Sequence, residues 1–450
     1  MNILSVNYSD LGGGAARAAF RIHCSLLKYG PEYGLTSQLR VINQYSDSSA
    51  VVGGTPVGQN KLWRRLQPRF SDQARRGFYT ENPALHSIAW PSTGLGQELQ
   101  DHHRRGDADV VNLHWLGDGT LSIEEIGRLP MPLVWTLHDQ WPFCGAEHYT
   151  YLPIAGETAS SDERFTLGYT PASRPSHETG PDINRRTWQR KHRAWRGPRR
   201  NPIHIVCLSS WMADCVRRSS LMSDWPIQVI PNPIDLHVWE PFEQRQARNL
   251  LHLPQDRPLV LFGAHGGTID PRKGADLLLS ALHLLRTQVA GTALDQLELV
   301  VFGQSRPVNS PKLGFPIHYM GRLQDDLSLR LLYAAADLFV IPSRQDNLPN
   351  TGLEAHACGI PVVAFRTGGL VDIVAHCSTG ALAEPFDPAS LAACIGWVLE
   401  DPQRRLQLGL AARKRAEQIW NPKRVAKLYA EVYRRATEDS AYPQYPRVSQ

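Results

Sequence analysis

No apolar run in this sequence is long enough to cross a bilayer, and none of its seven cysteines stands in a C-x-x-C pair. The first absence argues against a spanning helix. The second, with the odd count, argues against a disulfide framework or a thiolate zinc site, and for free thiols in a reducing compartment. Charge of one sign is lacking too. The 48 Lys and Arg face 43 Asp and Glu, and a formal net charge of +5 is small for 450 residues, so no nucleic-acid partner is expected. The opening Met1-Asn2-Ile3-Leu4-Ser5-Val6 has no basic region before an apolar stretch. It is expected to be the first strand of a cytoplasmic protein.

What is present is alternation. Near-continuous apolar runs of strand length lie at 3–8, 109–115, 133–139, 203–209 and 227–230, then at 259–263, 297–303, 317–321, 338–342 and 361–365. Parallel strands covered on both faces read this way. Helical patterns fall between them, at 14–29, 210–218, 273–287, 327–335, 351–358, 388–400 and 402–419. The expected fold class is α/β, with two Rossmann-like, doubly wound domains facing a central cleft. They would span 1–232 and 233–420, hinged at Pro231-Asn232-Pro233-Ile234-Asp235, with a last helix in 421–450 crossing back onto the first domain. Two segments break the rhythm: the polar, basic 45–76, and 153–182, which is rich in Ser, Thr, Pro and Gly and expected to be mobile.

Several strand ends carry residues suited to chemistry. Gly12-Gly13-Gly14 follows the first strand and opens a helix, so an anionic or sugar ligand could approach its backbone, or the glycines could only pack helix on strand. His138, with Asp139, ends the strand at 133–139. It could exchange protons near neutral pH or donate to a substrate hydroxyl, or be a satisfied histidine beside a capping Asp. His114 and Trp115 end the preceding strand in the same way.

In the second half, Arg272 and Lys273 open a helical pattern, where the macrodipole is already positive. A bound anion such as a diphosphate would explain a cation there; the alternative is a solvated lysine. The loop from Pro342 to Pro349 carries Asp346 and runs into Asn350-Thr351-Gly352-Leu353-Glu354. Its helix N-terminal amides could hold phosphate and Glu354 could accept two ribose hydroxyls. Thr351-x-x-Glu354 also fits a capping box, in which Glu354 would bind only backbone. Residues 185–200, RRTWQRKHRAWRGPRR, are half Lys and Arg, with Trp188, Arg190 and Trp195 along one stretch. That stretch could meet an anionic membrane surface or a lipid-phosphate acceptor, bind nucleic acid, or be a solvated face with two core tryptophans.

The second half resembles the retaining glycosyltransferases of family 4, of GT-B fold. Asp346 and Glu354 have the separation of that family's carboxylate-x7-Glu motif, followed by Ala355-His356-Ala357-Cys358-Gly359-Ile360-Pro361-Val362-Val363-Ala364. The series continues through Thr367-Gly368-Gly369, Gly321-Arg322-Leu323 and Ile230-Pro231-Asn232-Pro233-Ile234-Asp235. The first half, with its Gly12-Gly13-Gly14 loop and Leu137-His138-Asp139-Gln140-Trp141-Pro142, is similar to the exopolysaccharide branch, including colanic-acid-type transferases.

The resemblance implies transfer of a sugar from a nucleotide-diphosphate donor to an oligosaccharide or lipid-linked acceptor. Configuration would be retained with no cofactor or tightly bound metal, and the enzyme could touch the inner face of the cell membrane. Glu354 would bind the ribose and Asp346, where many members carry Glu, would lie near the donor sugar. Lys273, with Arg272, would neutralise the diphosphate, Gly267 standing where an Arg is usual. His138 would serve the acceptor side, and Gly13 and Gly14 would approach the diphosphate. A nucleotide-sugar epimerase, a phosphorylase or a non-catalytic binding module are the other readings.

Overall fold

The computed structural model describes residues 1–56, 86–90, 94–117, 119–150, 164–175, 178–196, 202–263, 270–308, 313–323 and 325–441. Gly267, residues 197–200 and much of the segments 45–76 and 153–182 lie outside them. The chain forms two compact units, Met1–Ile230 with Val425–Gln450, and Pro231–Arg424.

Unit 1 is built on seven strands: β1 (Asn2–Ser9), β2 (Thr36–Asn43), β3 (Val51–Val52), β4 (Val110–Leu113), β5 (Leu133–Leu137), β6 (Ile203–Cys207) and β7 (Ile227–Val229). They pair in the order β3-β2-β1-β4-β5-β6-β7, all parallel. Unit 2 has β8 (Leu259–Gly263), β9 (Glu298–Phe302), β10 (Ile317–Tyr319), β11 (Leu338–Ile341), β12 (Val362–Phe365) and β13 (Gly380–Ala383). Their order is β10-β9-β8-β11-β12-β13, again all parallel. Helices of eight or more residues are α1 (Gly14–Tyr29), α2 (Leu95–Arg105), α3 (Ile183–Trp195), α4 (Ser210–Arg218), α5 (Ala275–Gln288), α6 (Asp326–Ala335), α7 (Asn350–Ala357), α8 (Pro388–Glu400), α9 (Pro402–Ile419) and α10 (Pro422–Ala441).

The apolar runs become strands because both sheet faces are covered. In unit 1, Leu4, Val6, Val111, Leu113, Leu133 and Trp135 enter one core. The alternate residues Ile3, Val110, Val134 and Val206 enter another beneath α1 and α10, with Ile22, Leu26, Tyr429 and Tyr433. A polar stripe crosses that second face. Asn112 donates to the Tyr433 hydroxyl (2.9 Å) and accepts from Thr136 (3.1 Å). Buried polar groups persist only when paired in this way.

Each sheet has a switch point where connections diverge, between β1 and β4 in unit 1 and between β8 and β11 in unit 2. Open α/β sheets take ligands beyond the carboxyl ends of such strands.

Candidate functional site

In unit 2 the chain leaves β11 through a loop that is polar yet almost fully buried: Ser343, Arg344, Gln345, Asp346 and Asn347 are all 6% exposed or less. That burial holds because the charges are matched. Arg344 grips Asp276 of α5 with both guanidinium nitrogens (2.8 and 2.6 Å) and also donates to the Pro271 carbonyl. Asp346 accepts from Lys273 Nζ (2.6 Å) and from Ser343 Oγ (3.2 Å), with Arg272 at 3.8 Å. Burial pushes the Asp346 carboxyl up, but Lys273 and Arg272 outweigh it and hold the group below its ordinary value. Arg272 in turn pairs with Asp270 (2.9 Å) and donates to the Gln345 carbonyl.

Lys273 is not in the first turn of a helix, as the sequence suggests. It ends a 3-10 turn, Pro271–Lys273, capped by Asp270, and α5 begins only at Ala275. Between them Gly274 sits at φ 67°, where a Cβ would lie 2.0 Å from the Pro342 carbonyl oxygen. This close approach to the end of β11 is what carries Lys273 to Asp346. Gly274→Ala is expected to destabilise unit 2 by about 1–3 kcal/mol, from the left-handed strain alone. An unchanged denaturation midpoint would show that the turn does not depend on glycine.

A small pocket at the β8–β11 edge is walled by Phe262, Gly263, Lys273, Ser343, Asp346 and Thr351. It gathers Lys273, Asp346 and the start of α7, three of the features singled out from sequence. The rest of α7 needs correction. Pro349 at its N-cap offers no side-chain cap, and the Gly352 amide already donates to the Pro349 carbonyl (3.1 Å), so that amide is engaged. The Leu353 side chain is fully buried core. Asn350 accepts from Asn232 (3.3 Å). Thr351 lies inside α7, not at its N-cap, so the capping-box alternative for Glu354 falls. Glu354 is buried and accepts from the Tyr333 hydroxyl (3.1 Å), a partner with no local signal in the sequence.

In unit 1, Gly13 caps α1 with φ 124° and no side-chain hydrogen bond, and Gly12, Gly13 and Gly14 are all exposed. A Cβ at Gly13 or Gly14 would meet nothing within 4 Å, so close packing does not demand glycine there. His138 hydrogen-bonds to His114 (Nε2 to Nδ1, 3.0 Å). Burial lowers His138 to about 4 against the raising effect of Asp139. The ring is therefore neutral at pH 7, which corrects the expectation that it exchanges protons near neutrality. Asp139 is a structural hub and not a surface contact. It accepts from Trp115 Nε1 (2.8 Å), His148 Nδ1 (2.7 Å) and the Trp141 amide (3.0 Å).

The basic segment is overturned as an acceptor or membrane face at three positions. Trp195 is 3% exposed, packs edge-on against Trp135 and Trp141, and donates to the Ile123 carbonyl. Trp188 packs against the same core and stacks on Tyr169. Arg190 forks onto Glu124 (2.9 and 2.8 Å) and holds the Ile88 and Ala89 carbonyls. Lys191, unremarked in the sequence, is wholly buried. It points its ammonium at the carbonyls of Trp141, Cys144 and Gly145, over the Trp141 ring. Tryptophans seven apart on α3 thus mark the core-facing stripe of an amphipathic helix.

Among the described residues, no three His, Cys, Asp or Glu side chains cluster closely enough to hold a metal ion. The chain's one Asp-x-Asp triplet, Asp107-Ala108-Asp109, precedes β4 and so lies at the sheet edge opposite the glycine loop. There Asp109 accepts from the Asn2 amide (2.7 Å) and Asp107 pairs with Arg105. No helix among these residues is long and apolar enough to cross a membrane.

Residues 259–401 match the domain model of Glycosyl transferases group 1, and residues 64–238 that of Glycosyltransferase Family 4. The chain is 33% identical over 229 residues to a D-inositol 3-phosphate glycosyltransferase of Xylanimonas cellulosilytica, covering 47% of this chain and 52% of that protein. To the Geodermatophilus obscurus protein of the same name it is 35% identical over 225 residues, covering 47% and 48%. It spans about half the length of these curated relatives. Among solved structures, sucrose-phosphate synthase of Thermosynechococcus elongatus matches with a TM-score of 0.62 at 19% identity, over 97% of this chain and 98% of that one. Anabaena HepE, in complex with UDP and glucose, gives 0.60 at 17%, over 97% and 100%. WaaG, a glycosyltransferase involved in lipopolysaccharide biosynthesis, gives 0.57 at 18%, over 95% and 99%. The fold is that of the GT-B glycosyltransferases: two parallel-sheet, Rossmann-like units.

Proposed function

We propose that this chain, a glycosyltransferase of the family 4 type, moves a sugar from a nucleotide-diphosphate donor to a hydroxyl of a saccharide acceptor. The observation that carries this reading is the pocket at the β8–β11 switch point. There Lys273, Asp346 and the start of α7 meet in the unit that matches the group 1 model. Lys273 and Arg272 receive the diphosphate, aided by the Asn350 and Thr351 end of α7. Glu354 takes the ribose hydroxyls and Asp346 the donor sugar. The C1–O bond to the diphosphate breaks, the acceptor oxygen bonds to C1 on the same face, and its proton leaves with the nucleotide diphosphate. Charge growing on the leaving diphosphate meets a fixed cation and helix amides, which supply the stabilisation without a bound metal.

His138, with the Gly13 and Gly14 loop, serves the acceptor. We read that acceptor as an oligosaccharide or lipid-linked saccharide of a polysaccharide pathway, presented in the cytoplasm at the membrane. Among the cations of α3, the exposed Arg193 is the one we assign to anionic headgroups, since Arg196 beyond the helix end is already paired with Asp224 (2.7 Å). The relatives named for D-inositol 3-phosphate favour a second reading, in which the acceptor is a small polyol phosphate.

The test is a panel of nucleotide sugars scored by thermal stabilisation and slow donor hydrolysis. One donor should raise the melting temperature and be hydrolysed, and Glu354→Gln should weaken it. A panel that produces neither effect removes the donor assignment. Offering the active donor with oligosaccharide, lipid-linked saccharide and inositol phosphate then separates the two acceptors.

A further inference from the structure

His114 and His138 end adjacent strands β4 and β5 and face each other edge to edge, with ring centroids 5.3 Å apart and Nδ1 of His114 3.0 Å from Nε2 of His138. His114 is 2% exposed, and His138 is half-buried. The carboxylate that most often orients such a histidine is committed elsewhere. Both oxygens of Asp139 are taken by Trp115, His148 and the Trp141 amide. His114 holds the Nε2 side of the His138 ring.

A neutral imidazole has one donating and one accepting nitrogen, so one hydrogen bond between two such rings locks both tautomers together. Two arrangements exist. Either His114 donates through Nδ1 and leaves its Nε2 bare, or His138 donates through Nε2 and His114 must keep a proton on its own Nε2. That Nε2 is buried and has no hydrogen-bond partner among the described residues. A buried N–H without a partner is rarer than an unfilled acceptor. The first arrangement wins, and it places the His138 proton on Nδ1.

We infer that His114 is a positioning residue that holds His138 in the Nδ1–H tautomer, so that His138 acts as a neutral hydrogen-bond donor and not as a general base. The inference rests on the proposed transferase reading for its catalytic part only; the tautomer belongs to the protein whatever its substrate. In chemical terms, the ring carries its proton on Nδ1, while its second nitrogen is held by His114 and cannot collect the acceptor's proton.

The experiment is long-range proton–nitrogen NMR on the full chain labelled with 15N-histidine, with His138 assigned by its loss in His138→Gln. Wild-type protein should show His138 protonated on Nδ1. His114→Phe, which keeps the ring shape but removes the donor, should move His138 towards the Nε2–H form. His114→Gln, whose side-chain amide can still donate, should restore Nδ1–H. With the active donor, His114→Phe should lower kcat about 10- to 100-fold at a KM for donor within about twofold of wild type, and His114→Gln should recover most of it. A wild-type His138 protonated on Nε2, or a tautomer unmoved in a folded His114→Phe, overturns the inference. An Nδ1–H tautomer in a protein that turns over no nucleotide sugar would uphold it and dismiss the transferase reading alone.

Discussion

Lys273→Ala is expected to cut sugar transfer by about two to three orders of magnitude, the scale of losing one fixed group aimed at developing charge. The effect has two sources. The first is the missing cation itself. The second is Asp346, which loses its 2.6 Å partner and keeps only Ser343 and the more distant Arg272. On the proposed reading, an under-compensated carboxylate beside the leaving diphosphate would oppose the charge that the site receives. Arg272 cannot cover the loss, because Asp270 already draws on it (2.9 Å). The double variant Lys273→Ala with Asp346→Asn should therefore recover part of the activity, although both single changes impair it. Such non-additivity is what two groups in direct contact give in a mutant cycle. Steady-state kinetics on the donor found in the nucleotide-sugar panel checks it. A loss under about fivefold in Lys273→Ala, or a double variant no better than the single, would show that Lys273 does not serve the diphosphate. The same replacement should raise the Asp346 carboxyl, since burial is then opposed only by Arg272 and the Ser343 hydrogen bond.

Much of this architecture is visible in residue patterns, and the failures have physical causes. Strands buried on both faces announce themselves as apolar runs, and β8 begins and ends where its run does. β13, Gly-Ala-Leu-Ala, carries no strand propensity. It exists because Gly380 lets the chain lie against Val362, where a Cβ would sit 1.9 Å from the carbonyl oxygen. β2 reads as polar because it lies towards the sheet edge, burying only Leu39, Arg40 and Val41. At the candidate site, spacing singles out Asp346 and Glu354, but their partners Lys273 and Tyr333 are 73 and 21 residues away, brought in by tertiary structure alone. The basic segment misleads for a related reason. Arg190 and Lys191 look like surface charge until Glu124 and three backbone carbonyls, all distant in the chain, are seen to receive them.

Acid should unfold unit 1 by charging its buried histidines, and well above the pH at which ordinary carboxylates titrate. Burial lowers His23 and His138 from 6.5 to about 4, takes His114 well below its ordinary value and lowers His204 as well. Unfolding returns all four to about 6.5, so between roughly pH 6.5 and 4 the unfolded chain binds protons that the folded chain refuses. Their contribution is thus complete above about pH 6.5 and is lost as pH falls towards 4, where His23 and His138 begin to charge in the fold itself. At about 1.4 kcal/mol per pH unit and group, His23 and His138 together cost roughly 5–7 kcal/mol over that window, comparable with the whole stability of many domains. Lys191, lowered by burial from 10.5 to about 7, extends the same slope on the alkaline side. Unit 2 carries one such group, His356, lowered to about 3. Denaturant titrations from pH 7 to 5 should show stability falling, with about three protons taken up on unfolding unit 1, His204 adding to the other three histidines. His23→Gln should remove about one of them. A stability that stays level across that range would mean that these rings are solvated or already charged in the native protein, and would remove the neutral His114–His138 pair with them.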